Sequence, residues 1–252
     1  MSETLIFDNQ GPVWKITLNR PEKKNALDAE LKAAILSALD ECEKNVPDVL
    51  IITGAGKAFC AGQDLNERKG HTEVNLEASI NEFYAPLAER IRELECVTIA
   101  AVPGIASGAG ANLALLCDIV IAAKSANFIQ PFTHLGLIPD VGGSWVLPRL
   151  IGDARARGFI LLGKPISAVK AEDWGMIWAA VEDDRLDEEI DEISQLLSKR
   201  SKEAHKAVSS LMNKHWDETF DAHLGVEAWF QGQLGRSCFY RNAVRNFFEK
   251  RT

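Results

Sequence analysis

Two uninterrupted apolar runs of strand length, each ending in a cluster of small residues, constrain this chain most. Val49-Leu50-Ile51-Ile52-Thr53 breaks at Gly54-Ala55-Gly56, and the run Val97–Val102 leads on to Ser107-Gly108-Ala109-Gly110-Ala111. Unbroken apolar runs, unlike alternating ones, predict strands covered on both faces, as in a parallel sheet flanked by helices. A third such strand is expected over residues 118–122 and a short one over 177–181. Thr4-Leu5-Ile6-Phe7 and Val13 to Leu18 flank Asn9-Gln10-Gly11 and read as a hairpin. Asp28 is placed to cap a helix whose stripe is Leu31, Ile35, Leu39 and Cys42. Further helices are expected over 76–94, from the Gly/Ala cluster to Leu116, and over 154–162 and 167–174, with a polar loop at 66–75. From Asp187 the pattern is entirely helical, in segments near 187–199, 202–214, 219–234 and 238–250. Strands alternating with helices and then helices alone predict an α/β core, residues 1–190, with a helical appendage, 191–252.

Composition narrows the function classes. The chain has 252 residues, 28 basic and 36 acidic, for a net charge of -8. An acidic chain with no basic stripe is a poor binder of phosphate backbones, which argues against a nucleic-acid partner. A small anionic ligand stays compatible, since backbone N–H groups and a few lysines can hold one. The five cysteines are scattered, without a C-x-x-C pair, against both a disulfide framework and a zinc site. No apolar run approaches the roughly 20 residues of a membrane helix, and the start, Met1-Ser2-Glu3-Thr4, lacks signal-peptide character. The expected location is the cytoplasm.

Three segments could carry chemistry. Gly54 to Leu65 and Gly104 to Asn112 each follow a buried strand. Together they could aim two backbone N–H groups at one carbonyl oxygen, the geometry of an oxyanion hole. Gly136-Leu137-Ile138-Pro139-Asp140-Val141-Gly142-Gly143 sets one acid in an apolar stretch, where desolvation would raise its pKa and suit it to proton transfer. Taken singly, a tight turn, close helix–strand packing and a capping Asp are the commoner uses of such segments.

Read in order, Asn19-Arg20-Pro21-Glu22-Lys23-Lys24-Asn25-Ala26-Leu27, Phe59-Cys60-Ala61-Gly62-Gln63-Asp64-Leu65, Gly104 to Asn112 and Gly136 to Gly143 resemble the crotonase (enoyl-CoA hydratase/isomerase) superfamily over nearly the whole chain. Gly108 to Leu115, with Gly136 to Asp140, looks most like its 1,2-epoxyphenylacetyl-CoA isomerase branch. The resemblance implies a ββα superhelical core and a helical C-terminal region that packs subunits into a homotrimer or dimer of trimers. It implies an acyl-CoA thioester as substrate, with no cofactor, because CoA is part of the substrate, and with no metal. By register the oxyanion donors are the amides of Gln63 and Ala109, and Asp140 is the acid/base. CoA and the acyl group would run past Lys23, Lys24, Ala61, Gln63, Asp64, Leu65 and Phe132.

The departures are equally informative. Family hydratases carry two glutamates that activate water; in this register those positions hold Asn112 and Phe132. Neither is a base, and Phe132 would keep water from that wall. One carboxylate beside an oxyanion hole suffices to move a proton along a dienolate. The expected function is therefore an acyl-CoA isomerase that shifts a double bond or rearranges a ring epoxide. A hydratase of atypical mechanism and a non-catalytic acyl-CoA-binding protein stay open beside it, since fold alone does not guarantee activity. His134 and Trp145 are weighed as pocket residues, Trp174 and Trp178 as core, His205, His215 and His223 as surface or interface residues, and Lys250 as a CoA contact.

Overall fold

The computed structural model describes residues 3–70, 75–214 and 218–249. His215 and Lys250 lie outside them. The strands are β1 (Leu5–Asp8), β2 (Val13–Leu18), β3 (Val49–Gly54), β4 (Ala58–Cys60), β5 (Val97–Val102), β6 (Ile105–Ser107), β7 (Ile119–Ala123), β8 (Asn127–Ile129), β9 (Ile166–Ser167) and β10 (Ala179–Val181). The helices are α1 (Ala29–Lys44), α2 (Leu76–Ser79), α3 (Ala85–Glu93), α4 (Ala109–Leu115), α5 (Gly143–Ile151), α6 (Asp153–Leu162), α7 (Ala168–Asp173), α8 (Leu186–Ser198), α9 (Lys202–Lys214), α10 (Phe220–Leu234) and α11 (Cys238–Glu249). A π-helical turn, Ile80–Tyr84, joins α2 to α3, so the helix expected over 76–94 is one rod with a bulge.

Six strands form one sheet in the order β1-β2-β3-β5-β7-β10, and four short strands form a second, β4-β6-β8-β9. Apart from the β1–β2 hairpin, neighbours in the large sheet run parallel. Each of β3, β5 and β7 is followed by a short strand of the small sheet and then by helix, and this ββα repeat winds the chain into a spiral. Every residue of β3 and β5 is buried, as the unbroken apolar runs require. Each fully buried Leu or Ile there contributes roughly 1.5–3 kcal/mol of transfer free energy. Asp28 caps α1 by accepting from the Leu31 amide at 2.9 Å.

Several features depart from the sequence expectation. The strands of the small sheet have two or three residues each, too few for any periodicity. Helix α5 starts on a glycine and carries Pro148 in its interior, so propensity argued against it. The boundary at 190/191 falls inside α8. Leu186, Ile190 and Ser194 of that helix are buried, and it packs across β2, β3, β5 and β7. Trp178, expected in the core, is 70% exposed, because it directly precedes β10, an edge strand that among the described residues pairs with β7 alone. Trp174 is half-buried and carries Arg155 and Lys170 over its ring. No helix among the described residues is long and apolar enough to cross a membrane.

Helix α4 meets strand β4 of the small sheet at a tight seam. A Cβ added to Gly110 would lie 2.4 Å from the Cys60 carbonyl oxygen, closer than any packed carbon can sit. Gly158 in α6 has open space around its Cβ position. Gly110→Ala is therefore expected to cost about 1–3 kcal/mol of unfolding free energy, while Gly158→Ala should gain roughly 0.5–1 kcal/mol from helix propensity. Urea denaturation of both variants checks the contrast.

Candidate active site

The loop after β4 is built by backbone hydrogen bonds to the segment that precedes α1. The Leu27 amide donates to the Gly62 carbonyl at 2.8 Å, the Asp64 amide to the Leu27 carbonyl at 3.0 Å and the Ala61 amide to the Lys24 carbonyl at 2.9 Å. Arg20 fastens the same loop. Its guanidinium pairs with Asp28 at 2.9 Å and Asp64 at 3.0 Å and donates to the Ala26 carbonyl at 2.5 Å. Burial acts to raise the Asp64 pKa, but hydrogen bonds from Asn66 and Arg20 prevail and hold it below the usual range.

The partner loop comes from the end of β6. Gly108, at φ 55°, precedes the first residue of α4, Ala109. The two loops touch: a Cβ on Gly62, itself at φ 86°, would fall 2.8 Å from the Ser107 carbonyl oxygen and 3.5 Å from the Ala109 nitrogen. Only glycine allows this approach. Among the described residues, neither the Gln63 nor the Ala109 amide N–H has a backbone acceptor. The seam thus brings together two unsatisfied donors, one of them at a helix N-terminus.

Beside them lies a cavity of about 420 Å³. Ala61, Gly62, Gln63, Leu65, Tyr84, Gly108, Phe132 and Asp140 line it, with further apolar residues from 135 to 141. Asp140 precedes Val141, a β-branched residue held at φ 48°, an uncommon conformation that the surrounding structure must enforce. Two bonds do this: the Asp140 carbonyl accepts from the Gly143 amide at 2.8 Å and from Asn112 Nδ2 at 2.9 Å. Its carboxyl Oδ1 is buried without a hydrogen-bond partner. Burial pushes the Asp140 pKa up to about 7, against the opposing pull of its backbone hydrogen bond, Arg68 and Lys32. A desolvated carboxyl with one unpartnered oxygen, facing a cavity at that pKa, can take and return a proton near neutrality.

Other expected residues sort clearly. Phe132 is buried and walls the cavity against Gly108, with ring carbon Cζ 3.5 Å from where that glycine's Cβ would be. Asn112 is buried and committed, accepting from Gln130 Nε2 at 2.7 Å while donating to Asp140. Lys23 and Lys24 sit exposed on the 3-10 turn Pro21–Lys23 and its cap, outside the cavity lining. Asp64 is likewise outside it, its carboxylate held by Arg20 and Asn66. Cys60 is fully buried, and burial pushes its thiol up to about 12, so it packs and does not react. His134 turns to the Leu162 carbonyl at 3.3 Å. Trp145 borders a different groove, between the guanidinium groups of Arg92 and Arg149. His205 and His223 lie on the C-terminal helices, and no metal-binding cluster occurs among the described residues. Tyr84, Arg68 and Lys32 gave no sequence signal. Each sits in an ordinary helical or polar-loop pattern and is brought to the site by the fold.

Comparison with known proteins agrees with this architecture. The model of the enoyl-CoA hydratase/isomerase family matches residues 8–252. The chain is 41% identical to a 1,2-epoxyphenylacetyl-CoA isomerase of Escherichia coli (strain K12), over 100% of this chain and 98% of that protein. It is 42% identical to a Rhodobacter capsulatus protein named "Probable enoyl-CoA hydratase", over 98% of this chain and 96% of that one. The crystal structure of an enoyl-CoA hydratase from Bacillus anthracis superposes with a TM-score of 0.92 at 31% identity, covering 98% of this chain and 96% of that chain. The spiral of ββα units followed by C-terminal helices is the crotonase fold, and the chain belongs to the enoyl-CoA hydratase/isomerase family.

Proposed function

We propose that this protein is an acyl-CoA isomerase working through a thioester enolate. The observation that carries the reading is Asp140, a single carboxyl in the cavity wall with its Oδ1 buried and unpartnered, in a site whose Gln63 and Ala109 amides would receive the thioester oxygen. Asp140 removes the proton α to the thioester; negative charge moves onto the carbonyl oxygen, where fixed N–H donors stabilise it without reorganising. The same carboxyl then returns the proton further along the dienolate, moving the double bond. A ring-epoxide CoA ester, the substrate in the name of the Escherichia coli relative, is rearranged by the same enolate chemistry. CoA travels as part of the substrate past Ala61 to Leu65, its phosphates within reach of Lys23 and Lys24, and no separate cofactor or metal takes part.

Hydration is the competing reading, because relatives of similar identity carry hydratase names. Two observations weigh against it here. Phe132 fills one of the two positions where a hydratase holds a glutamate, and Asn112, at the other, spends its carboxamide on Gln130 and Asp140. A purely binding protein would not need a desolvated acid in its ligand cavity. The exposed aromatic residues of α10 and α11, among them Trp229, Tyr240 and Phe248, support assembly into a homotrimer or a dimer of trimers.

Incubation with a 3-enoyl-CoA, a 2-enoyl-CoA and a ring-epoxide CoA ester, with products identified by mass and NMR, tests the function. Double-bond migration or ring rearrangement is expected; water addition to crotonyl-CoA as the dominant reaction would replace isomerase by hydratase. Asp140→Asn should lower turnover by roughly 10²–10⁴-fold while CoA-ester binding persists.

The raised pKa also fixes the pH behaviour. Proton abstraction needs the carboxylate, so turnover should fall as pH drops through about 7. Stability runs the other way. Between the ordinary Asp value and about 7 the folded state holds a proton that the unfolded state has lost, so this group's contribution declines as pH rises. At pH 8, Asp140→Asn should therefore melt above the parent protein, with the gap closing toward pH 4 in thermal scans.

A further inference from the structure

We propose that Lys32 and Tyr84 are positioning residues that clamp the Gln63 carboxamide and so hold the Gln63 amide N–H at the substrate's thioester oxygen. The inference rests on the reading of that N–H as an oxyanion donor and adds the device that aims it.

The Gln63 side chain is fully engaged. Its Oε1 accepts from Lys32 Nζ at 2.5 Å and from the Tyr84 hydroxyl at 2.6 Å. Its Nε2 donates to Glu67 Oε2 at 2.8 Å and, more weakly, to the Asp64 carbonyl at 3.3 Å. That uses two acceptor sites and two hydrogens, the capacity of a carboxamide. Fixing a glutamine at every polar atom in this way removes its rotamer freedom. The flanking peptides are tied as well, through the Leu27 bonds to the Gly62 carbonyl and the Asp64 amide. Among these polar groups, the Gln63 N–H is left without a backbone acceptor.

The clamp is anchored to rigid structure. Glu67 Oε1 accepts from the amide of Ala29, the first residue of α1, at 2.7 Å, and Lys32 stands one turn along the same helix. Tyr84 is 2% exposed, and its ring lies beneath the Lys32 ammonium, 5.2 Å from Nζ to the ring centroid. Among the described residues Lys32 forms no salt bridge. The hydrogen-bond acceptor of its half-buried ammonium is the neutral Gln63 amide. Displacing a donor by a fraction of an ångström weakens transition-state stabilisation more than ground-state binding, so the clamp acts on the chemical step.

The test uses Lys32→Met, Tyr84→Phe and their combination, each of which keeps side-chain bulk and removes only the polar end. Two readouts are taken on variants whose far-UV circular dichroism matches the parent: the rate of α-proton exchange of a 3-enoyl-CoA in heavy water, and the infrared carbonyl band of bound butyryl-CoA labelled with carbon-13 at the thioester. In the parent, binding should move the band to lower wavenumber. In the double variant that shift should shrink and exchange should slow by about 10–100-fold, with KM changed less than about threefold. Gln63→Met, which retains the backbone donor, should slow exchange to the same extent, and adding it to the double variant should cost nothing more, the mark of one shared interaction. An unshifted band in the parent overturns the oxyanion reading and the clamp with it. A full shift and parent-like exchange in the double variant overturn the clamp alone.

Discussion

The contact of Gly110 with the Cys60 carbonyl is the constraint on which the rest depends. It lets α4 start directly behind the loop that follows β4, where any side chain would force the two apart. Because that approach is allowed, Gly62 also meets the Ser107 carbonyl, and Gln63 and Gly108, from loops more than 40 residues apart, come to line one cavity. The large sheet supplies the rigidity. Its fully buried parallel strands fix where β4 and β6 begin, and the short strands hand that precision to the loops.

Around this seam the molecule concentrates polar cost. Asp140 carries an unpartnered buried oxygen, and Val141 follows it in a left-handed conformation. Both features are unfavourable to folding, by about 1–3 kcal/mol each in comparable settings, and both are sustained by a dense local network. Asn112 and the Gly143 amide hold the Asp140 carbonyl, and Gln130 in turn holds Asn112. On the opposite side Arg20 binds Asp28 and Asp64, joining the cap of α1 to the oxyanion loop. The N-terminal segment before α1, which contributes no group to the cavity wall, thereby becomes part of the site's framework.

Much of the fold was legible because its signals are strong. The unbroken runs at 49–53 and 97–102 are strands β3 and β5; Asp28 caps α1; and the four helices after residue 186 lie within a residue or two of their expected bounds. The small sheet was not legible, since a three-residue strand carries no period, and α5 was hidden by Gly142, Gly143 and Pro148. Trp178 is exposed because the apolar strand it precedes is an edge, a property that neighbours in sequence do not carry.

The sequence by itself determined the chemistry on offer: small residues after buried strands and one acid in an apolar segment. Local composition suffices for this, because it says which groups can exist at a turn. Tertiary structure alone decided how those groups act. It left Asp140 Oδ1 without a partner, committed Asp64 to Arg20 and closed Lys32 and Tyr84 onto Gln63. Desolvation and hydrogen-bond saturation depend on atoms brought together from distant parts of the chain, and no reading of neighbours in sequence contains them.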